Sequence, residues 1–312
     1  MELRRAGRSG LLVSSVGLGT MTWGRDTDEH EAAEQLTLFL DAGGTLVDTA
    51  ASYGDGAAEG LLGGLLAEVD RRDVVLCSKS GVRRTGHGTR VDTSRSTLLD
   101  TLDETLAALG TDHLDLWLVQ SPDLDVRAEE TLSALRHAVA TGRTRYVGLS
   151  NHPAWYQGYA AATLADDATG LAAVEVEYSL LERGVEDEVL PAAGALGTGV
   201  LAWSPLGRGV LTGKYRSTIP ADSRAASPHL RGFVEPYLND RSHGIVEAVA
   251  TAADGMGRMP LEVALAWVRD APGVSSAIVG ARTAAQLRGV LAGSDLELPG
   301  AIRRALDDVS GG

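Results

Sequence analysis

The feature that most constrains this chain is an alternation of short apolar runs with longer amphipathic stretches, repeated eight times. The apolar runs are Ser15–Gly19, Thr45–Asp48, Val74–Lys79, Asp115–Val119, Thr144–Leu149, Ala172–Glu177, Val200–Trp203 and Ser275–Val279. Most are β-branched or apolar and are bounded by Gly, Asp or Ser, as parallel strands buried on both faces should be. The stretches between them carry helical periodicity. Asp28–Ala42 places Ala32, Leu36, Phe39 and Leu40 on one face, and Ser94–Leu109 does so with Leu98, Leu102, Leu106 and Leu109. Gly43, Gly110 and Gly142 follow such stretches, where a left-handed C-cap fits. The repeats predict a single (β/α)8 TIM-barrel domain over residues 1–312. A short N-terminal β-hairpin (Glu2–Arg5, Leu11–Val13) precedes it. An open doubly wound sheet is the competitor, but Gly17-Leu18-Gly19 continues as Thr20-Met21-Thr22, so its Gly-x-Gly-x-x-Gly fingerprint is incomplete.

Two connections are long βα loops expected over the C-terminal mouth of such a barrel. Gly207 to about Arg241 is rich in Gly, Pro, Ser and Arg without a clear period, which suggests a lid or ligand clamp. Gly81–Arg95 is a shorter candidate of the same kind.

Composition narrows the function classes. Aromatics are 4% of the chain, so Ala, Leu and Val must fill most of the core. The net charge of −14 argues against a nucleic-acid binder, since no Lys/Arg cluster overrides it. It leaves room for a local basic pocket. Cys77, the single cysteine, sits in an apolar run and reads as a buried thiol. His, Cys and carboxylates show no metal-ligand spacing, so no metal is expected. Met1-Glu2-Leu3-Arg4-Arg5 has no apolar signal-peptide core, and no run approaches the ~18 apolar residues of a transmembrane helix. A cytoplasmic protein without membrane attachment is the expectation. Monomer and small homo-oligomer both remain open.

In such barrels chemistry gathers at the C-terminal ends of the strands. Asp48 ends the second run, with Tyr53 in the following loop; Lys79 ends the third, and Gln120 follows the fourth. Singly, each has a bland reading: a loop-capping Asp, a core Tyr, a solvated Lys. Together they are a coherent acid–base set. A carbonyl accepting a hydride needs a proton, and a free Tyr with pKa near ~10 is a poor acid–base group at neutral pH. A nearby ammonium is expected to pull that pKa down, and a carboxylate to hold the ammonium charged and oriented.

At these residues the chain resembles the aldo-keto reductases over nearly its whole length. The matching stretches are Gly17-Leu18-Gly19-Thr20-Met21, Val47-Asp48-Thr49-Ala50 with Tyr53, Ser78-Lys79, Asp115-Leu116-Trp117 running to Ser121-Pro122-Asp123, and Gly148-Leu149-Ser150-Asn151. The most specific are Trp203-Ser204-Pro205-Leu206-Gly207-Arg208-Gly209 with Thr212-Gly213-Lys214-Tyr215, followed by Ile278-Val279-Gly280-Ala281-Arg282 with Gln286-Leu287. The resemblance implies NADPH bound across the barrel mouth and a small carbonyl substrate. It assigns Tyr53 as proton donor, tuned by Lys79 and Asp48. Ser150 and Asn151 would hold the nicotinamide carboxamide, with Trp203 stacked on the ring and Gly19, Thr20 and Met21 nearby. Ser204, Pro205, Leu206, Gly207 and Arg208, with Lys214, would cradle the pyrophosphate. Arg224 would grip the adenosine phosphate, and Gly280, Arg282 and Gln286 would complete the cofactor site near a helix N-terminus. Trp23, Tyr53 and Trp117 are candidate substrate-pocket walls. Arg83, Arg84, His87 and Arg90 either meet a polar substrate or belong to a solvated loop. His113 and His152 receive no role.

The pattern breaks at three places. Gln120 stands where the family usually has His; it can donate a hydrogen bond but cannot carry a proton or a charge. Glu175 replaces the usual Gln against the carboxamide. Val290 and Gly289 replace an Asn and a Glu near adenine, leaving that contact to Gln286 and apolar surface. The primary reading is an NADPH-dependent reductase of aldehydes, ketones or keto sugars. Gln120 motivates an alternative, reduction of an activated carbon–carbon double bond. A third reading is a non-catalytic NADP(H)-binding regulatory subunit, as channel-associated members of this fold family are.

Overall fold

The structure is a computed structural model that describes residues 1–85, 88–165, 170–220, 223–227 and 230–311. It opens with an antiparallel hairpin, β1 (Leu3–Arg5) and β2 (Leu12–Ser14), followed by β3 (Val16–Gly19), α1 (Glu29–Asp41), β4 (Leu46–Asp48), α2 (Ala57–Leu66) and β5 (Val75–Ser80). A second hairpin, β6 (Val82–Thr85) and β7 (Gly88–Val91), precedes α3 (Arg95–Leu109) and β8 (Leu114–Val119). Next come α4 (Ala128–Ala140), β9 (Thr144–Ser150), α5 (Ala154–Leu164), β10 (Leu171–Glu177), α6 (Val189–Leu196) and β11 (Gly199–Trp203). The chain ends with α7 (Arg231–Val234), α8 (Asp240–Met256), α9 (Pro260–Arg269), β12 (Val274–Val279), α10 (Ala284–Leu291) and α11 (Gly300–Ser310).

β3, β4, β5, β8, β9, β10, β11 and β12 close, all parallel, into one barrel. The eight apolar runs of the sequence are these eight strands, shifted by at most one residue at either end. The helices start and stop where local chemistry demands. Asp28 caps α1 by accepting from Glu31 N, and Gly43, Gly110 and Gly142 all take positive φ just past their helices. Each predicted helical stripe is mostly buried: Ala32, Leu36 and Phe39 on α1, and Leu98, Leu102 and Leu109 on α3.

Strand alternation splits the core in two. The inner part holds Leu46, Cys77, Leu116, Leu118, Ala173, Leu201 and Ile278, joined by Ala6, Leu11 and Val13 of the first hairpin. That hairpin lies under the strand starts, where Arg8 N donates to Gly197 O. The outer part packs strand faces against helices and includes Trp23, Trp117, Leu62 and Trp267. Two sequence expectations change in detail. Gly81–Arg95 contains the β6–β7 hairpin rather than an irregular loop, with Arg83 paired to Arg90 across it. The Gly207–Arg241 segment is built from short turns, with 3₁₀ turns at Gly207–Thr212, Arg224–Ala226 and Glu235–Tyr237 flanking α7. His87 lies outside the described residues. No described helix is long and apolar enough to cross a membrane.

The tightness of the barrel wall is testable with one substitution at two glycines. A Cβ on Gly148 of β9 would sit 2.2 Å from Ala173 O on β10, a backbone atom that cannot yield. Gly158, inside α5, has open space at that point. Gly148→Ala is expected to lower stability by about 2–3 kcal/mol, whereas Gly158→Ala raises it by about 0.5–1 kcal/mol. Urea midpoints of the two variants check both signs.

Candidate active site

The same alternation that fills the barrel selects the groups at its mouth. Two positions beyond an inward apolar residue, each strand presents its next inward side chain. Leu46 is followed in this way by Asp48, Cys77 by Lys79, Leu118 by Gln120, Ala173 by Glu175 and Leu201 by Trp203. These groups line a cavity of about 430 Å³ that also reaches Tyr53, Ser204, Arg224, Phe233 and Arg282. Its volume falls in the usual range for small-molecule sites.

Lys79 is the centre of the cluster. Its ammonium donates to Asp48 Oδ1 at 2.6 Å, to Thr49 O at 3.0 Å and to Tyr53 Oη at 3.4 Å. It also lies 3.3 Å from Glu175 Oε2 without hydrogen-bond geometry. Burial opposes the charge on Lys79, but Asp48 and then Glu175 hold the ammonium well above the ordinary lysine range. Asp48, Cys77 and Glu175 bring ligating atoms within 4.8 Å of one another, and the cation among them is this ammonium. Cys77 is fully buried, and burial keeps its thiol protonated.

Tyr53 departs from the expected direction. Burial pushes its phenol well above the ordinary range, and the downward pull of Lys79 does not offset it. Asp48 and Glu175 both act in the same sense as burial. An ammonium held by one carboxylate would lower the phenol's pKa; desolvation reverses the sign. Burial and then Asp48 also push the carboxyl of Glu175 up, to about 8.

Around this centre the polar groups hold one another in place. Ser52 Oγ donates to Gln120 Oε1 at 2.9 Å. Asn151, whose φ is +61°, donates from Nδ2 to Gln120 O at 3.1 Å and to Ser150 Oγ at 3.0 Å. Its Oδ1 accepts from Trp203 Nε1 at 3.0 Å, which fixes the indole at the cavity wall. Phe233, on α7, lies nearly parallel to that indole, with ring centroids 6.4 Å apart.

The far end of the cavity is cationic. Arg224 and Arg282 both line it, with burial first and Arg282 next lowering the pKa of Arg224. Arg224 also donates to Gly280 O at 3.0 Å. Gln286 Oε1 accepts from Arg282 N at 3.0 Å, so both stand at the start of α10. Lys214 lines the same wall and crosses Gly209, where a Cβ would lie 3.1 Å from its Nζ. Arg208 is placed differently from a free phosphate ligand. Its guanidinium donates to Glu177 Oε1 at 2.7 Å and Oε2 at 2.5 Å and to Phe233 O at 2.6 Å, and it stacks 4.1 Å from the Phe233 ring. Tyr237 Oη donates to the same Glu177 at 3.0 Å. Arg208 thus pins the long segment to the barrel rim with its charge already matched.

Gly19, Met21, Pro205 and Leu206 also line the cavity. Thr20 lies outside the lining: it donates from N and Oγ1 to Asp48 O, tying β3 to β4. Gly207 is likewise off the lining, buried in a positive-φ turn against Leu181. Trp23 and Trp117 do not serve as cavity walls, contrary to the sequence expectation. Trp117 occupies an outward position on β8 and donates to Ser80 Oγ at 3.0 Å in the helix layer. Trp23 is fully buried and turned toward Gln35 of α1. Sequence reasoning missed Ser52 and Phe233. Phe233 carried a signal, being one of only two phenylalanines in the chain.

The model of the aldo/keto reductase family matches residues 15–310. An uncharacterized oxidoreductase, YrpG, of Bacillus subtilis is 34% identical over 99% of this chain and 96% of its own length. A probable voltage-gated potassium channel subunit beta of Oryza sativa is also 34% identical, over 90% of this chain and 87% of its own. The L-glyceraldehyde 3-phosphate reductase of Escherichia coli K12 is 30% identical over 92% and 86%. With the family model spanning nearly the whole chain and relatives at these identities, the chain belongs to the aldo/keto reductase family.

Proposed function

We propose that this protein is an NADPH-dependent oxidoreductase that reduces an aldehyde, ketone or keto sugar to the alcohol, with Tyr53 as proton donor. The observation that carries the reading is the hydrogen-bonded set Asp48–Lys79–Tyr53 at the cavity, with Lys79 Nζ 2.6 Å from Asp48 and 3.4 Å from Tyr53 Oη. Relatives named as oxidoreductases, one a reductase of a phosphorylated aldehyde, support it.

The residues fit the cofactor. Two half-exposed guanidinium groups line the same end of the cavity, close enough for Arg282 to act on Arg224, and an anion between them would relieve that repulsion. Arg224 and Arg282 therefore suit the adenosine phosphate of NADPH, and Ser150, Asn151 and Trp203 stand at the nicotinamide end beside Lys79. Bound NADPH would supply the hydride. Tyr53 holds the proton for the oxygen on which negative charge develops, and Lys79 stabilises the phenolate left behind. Asp48 keeps Lys79 charged. Ser52 occupies the carbonyl oxygen of Gln120, so its amide nitrogen is the group left to donate to a substrate oxygen.

A second reading has its own observation: the relatives named as potassium channel subunits suggest a regulatory subunit that reports cofactor occupancy. One experiment separates the readings. Purified protein is mixed with NADPH and a panel of saturated aldehydes, ketones and enones, and the reduced cofactor is followed by absorbance. Oxidation with saturated carbonyls is expected. Oxidation with enones alone would move the reading to double-bond reduction, and tight binding without turnover to the regulatory one.

Three variants refine the assignment. Tyr53→Phe should lower kcat roughly 10²–10⁴-fold while cofactor affinity holds; retained turnover would remove Tyr53 as the donor. Gln120→His should raise carbonyl reduction and lower any enone reduction, and a variant indistinguishable from wild type would make Gln120 a bystander. Replacing Arg224 and Arg282 together by Ala should raise the Kd for NADPH by about tenfold or more and that for NADH much less. Equal losses for both cofactors would refute the phosphate grip.

A further inference from the structure

Glu175 is an ionisable group at the site that the proposed reaction does not use. It is buried, and its Oε2 has no hydrogen-bond partner. The reason is a count of donors. An ammonium has three N–H bonds, and those of Lys79 go to Asp48 Oδ1, Thr49 O and Tyr53 Oη. Glu175 Oε2, 3.3 Å from the same nitrogen, receives none. An ionised carboxylate there would be a second buried negative charge on a single ammonium, without a donor of its own. The titratable groups facing it are Asp48 from β4, Cys77 and Lys79 from β5, and Tyr53 from the loop after β4. Its register partners on β9 and β11, Ser150 and Leu201, do not titrate.

We propose that Glu175 is a carboxylic acid in the resting enzyme and the proton store that resupplies Tyr53 through Lys79. The inference rests on the reductase reading above. When the Tyr53 O–H bond breaks, its proton goes to the substrate oxygen. The Lys79 N–H that points at Tyr53 then breaks and the Tyr53 O–H re-forms. Lys79 now carries a lone pair, the Glu175 O–H breaks, and the ammonium is restored. One proton has left the store, Glu175 is ionised, and solvent reprotonates it as the product leaves. A carboxyl oxygen of Glu175 lies within 4.8 Å of one of Asp48. The carboxyl's elevated affinity for a proton, to about 8, has burial as its largest cause and Asp48 as its second. The store therefore fills as pH falls through that value and empties as pH rises through it. Once ionised, Glu175 also adds negative charge beside Tyr53, which opposes phenolate formation.

The test is a pH series on wild type, Glu175→Gln and Glu175→Asp with two readouts. One is kcat for NADPH oxidation with an aldehyde. The other, on cofactor-free protein, is the infrared band of protonated carboxyl groups. Wild type is expected to lose kcat above pH of about 8 and to lose a carboxyl band over the same range. The slope should be roughly tenfold per pH unit. Glu175→Asp keeps both signals, displaced along the pH axis, whereas Glu175→Gln lacks both. A limb unmoved in Glu175→Gln would overturn the proposal. So would a wild type without a protonated carboxyl band that titrates above neutral pH, a readout that stands even if Glu175→Gln fails to fold. Wild type that oxidises NADPH with no carbonyl sinks the reductase reading and the relay with it. The cofactor-free band then reports separately whether Glu175 holds a proton.

Discussion

The contact on which the site depends is the buried ammonium of Lys79 against Asp48 at 2.6 Å. Removing one partner of such a pair leaves an uncompensated buried charge, typically at a cost of about 3–5 kcal/mol. The pair also does structural work. Lys79 reaches from β5 to Thr49 O, just past β4, and so locks two adjacent strand ends. Thr20 closes the next joint by donating twice to Asp48 O. On the other side of β5, Ser78 points outward and donates to Glu59 of α2 at 2.6 Å, with Thr105 of α3 bonding the same carboxylate. The strand that carries the ammonium is thus held on both faces by polar contacts, where a purely apolar seat would allow its end to shift.

Period-two alternation explains how one fold keeps a dry floor under a polar mouth. A strand whose inward residues run apolar, then polar, places the change of chemistry at a fixed height, and the barrel repeats that height around its circumference. Leu46 and Asp48, Cys77 and Lys79, and Ala173 and Glu175 are three instances of one rule. Water excluded by the floor makes each charge in the ring above it more consequential. The same rule accounts for Tyr53. Desolvation, with the Asp48 carboxylate acting in the same sense, dominates its proton affinity over a single ammonium at 3.4 Å. The phenol therefore carries its proton before reaction, and the drive to release it must come from the negative charge that develops on the substrate oxygen.

Much of this was legible before the structure. Strand positions were, because burial on both faces leaves an apolar run that ends sharply at Asp48, Lys79 or Trp203. The strand-end residues Asp48, Lys79 and Gln120, and Tyr53 just beyond, followed from that ending. What escaped was side-chain direction and count. Trp117 is separated from inward Leu116 and Leu118 by one position, and one position decides between cavity and helix layer. Trp23 was lost to a tight turn, Trp23 N to Thr20 O, that swings it under α1. The β6–β7 hairpin was hidden because, beyond the Val82–Val91 pair, its sequence carries no apolar residue and no alternation marks it. Glu175 could be read as an unusual charge, but that it shares an ammonium with Asp48 is a fact of barrel closure. β4 and β10 are not neighbours in the sheet, and only the closed barrel brings them together.

The distribution of charge along the cavity has a directional consequence. At one end Lys79 sits among Asp48, Glu175 and a neutral Tyr53; at the other, Arg224 and Arg282 stand together. Arg208, midway, is matched by Glu177 and contributes little net field. An elongated ligand with an anionic terminus therefore has one favourable orientation, anion toward the two arginines and neutral end toward Lys79. A reversed ligand would set its anion beside Asp48 and leave the two guanidinium groups without one. The chain carries a net charge of −14, so this local inversion must be built against the field of the whole protein. Confining it to a low-dielectric cavity is what makes that possible, since there a pair of nearby charges outweighs distant ones screened by water.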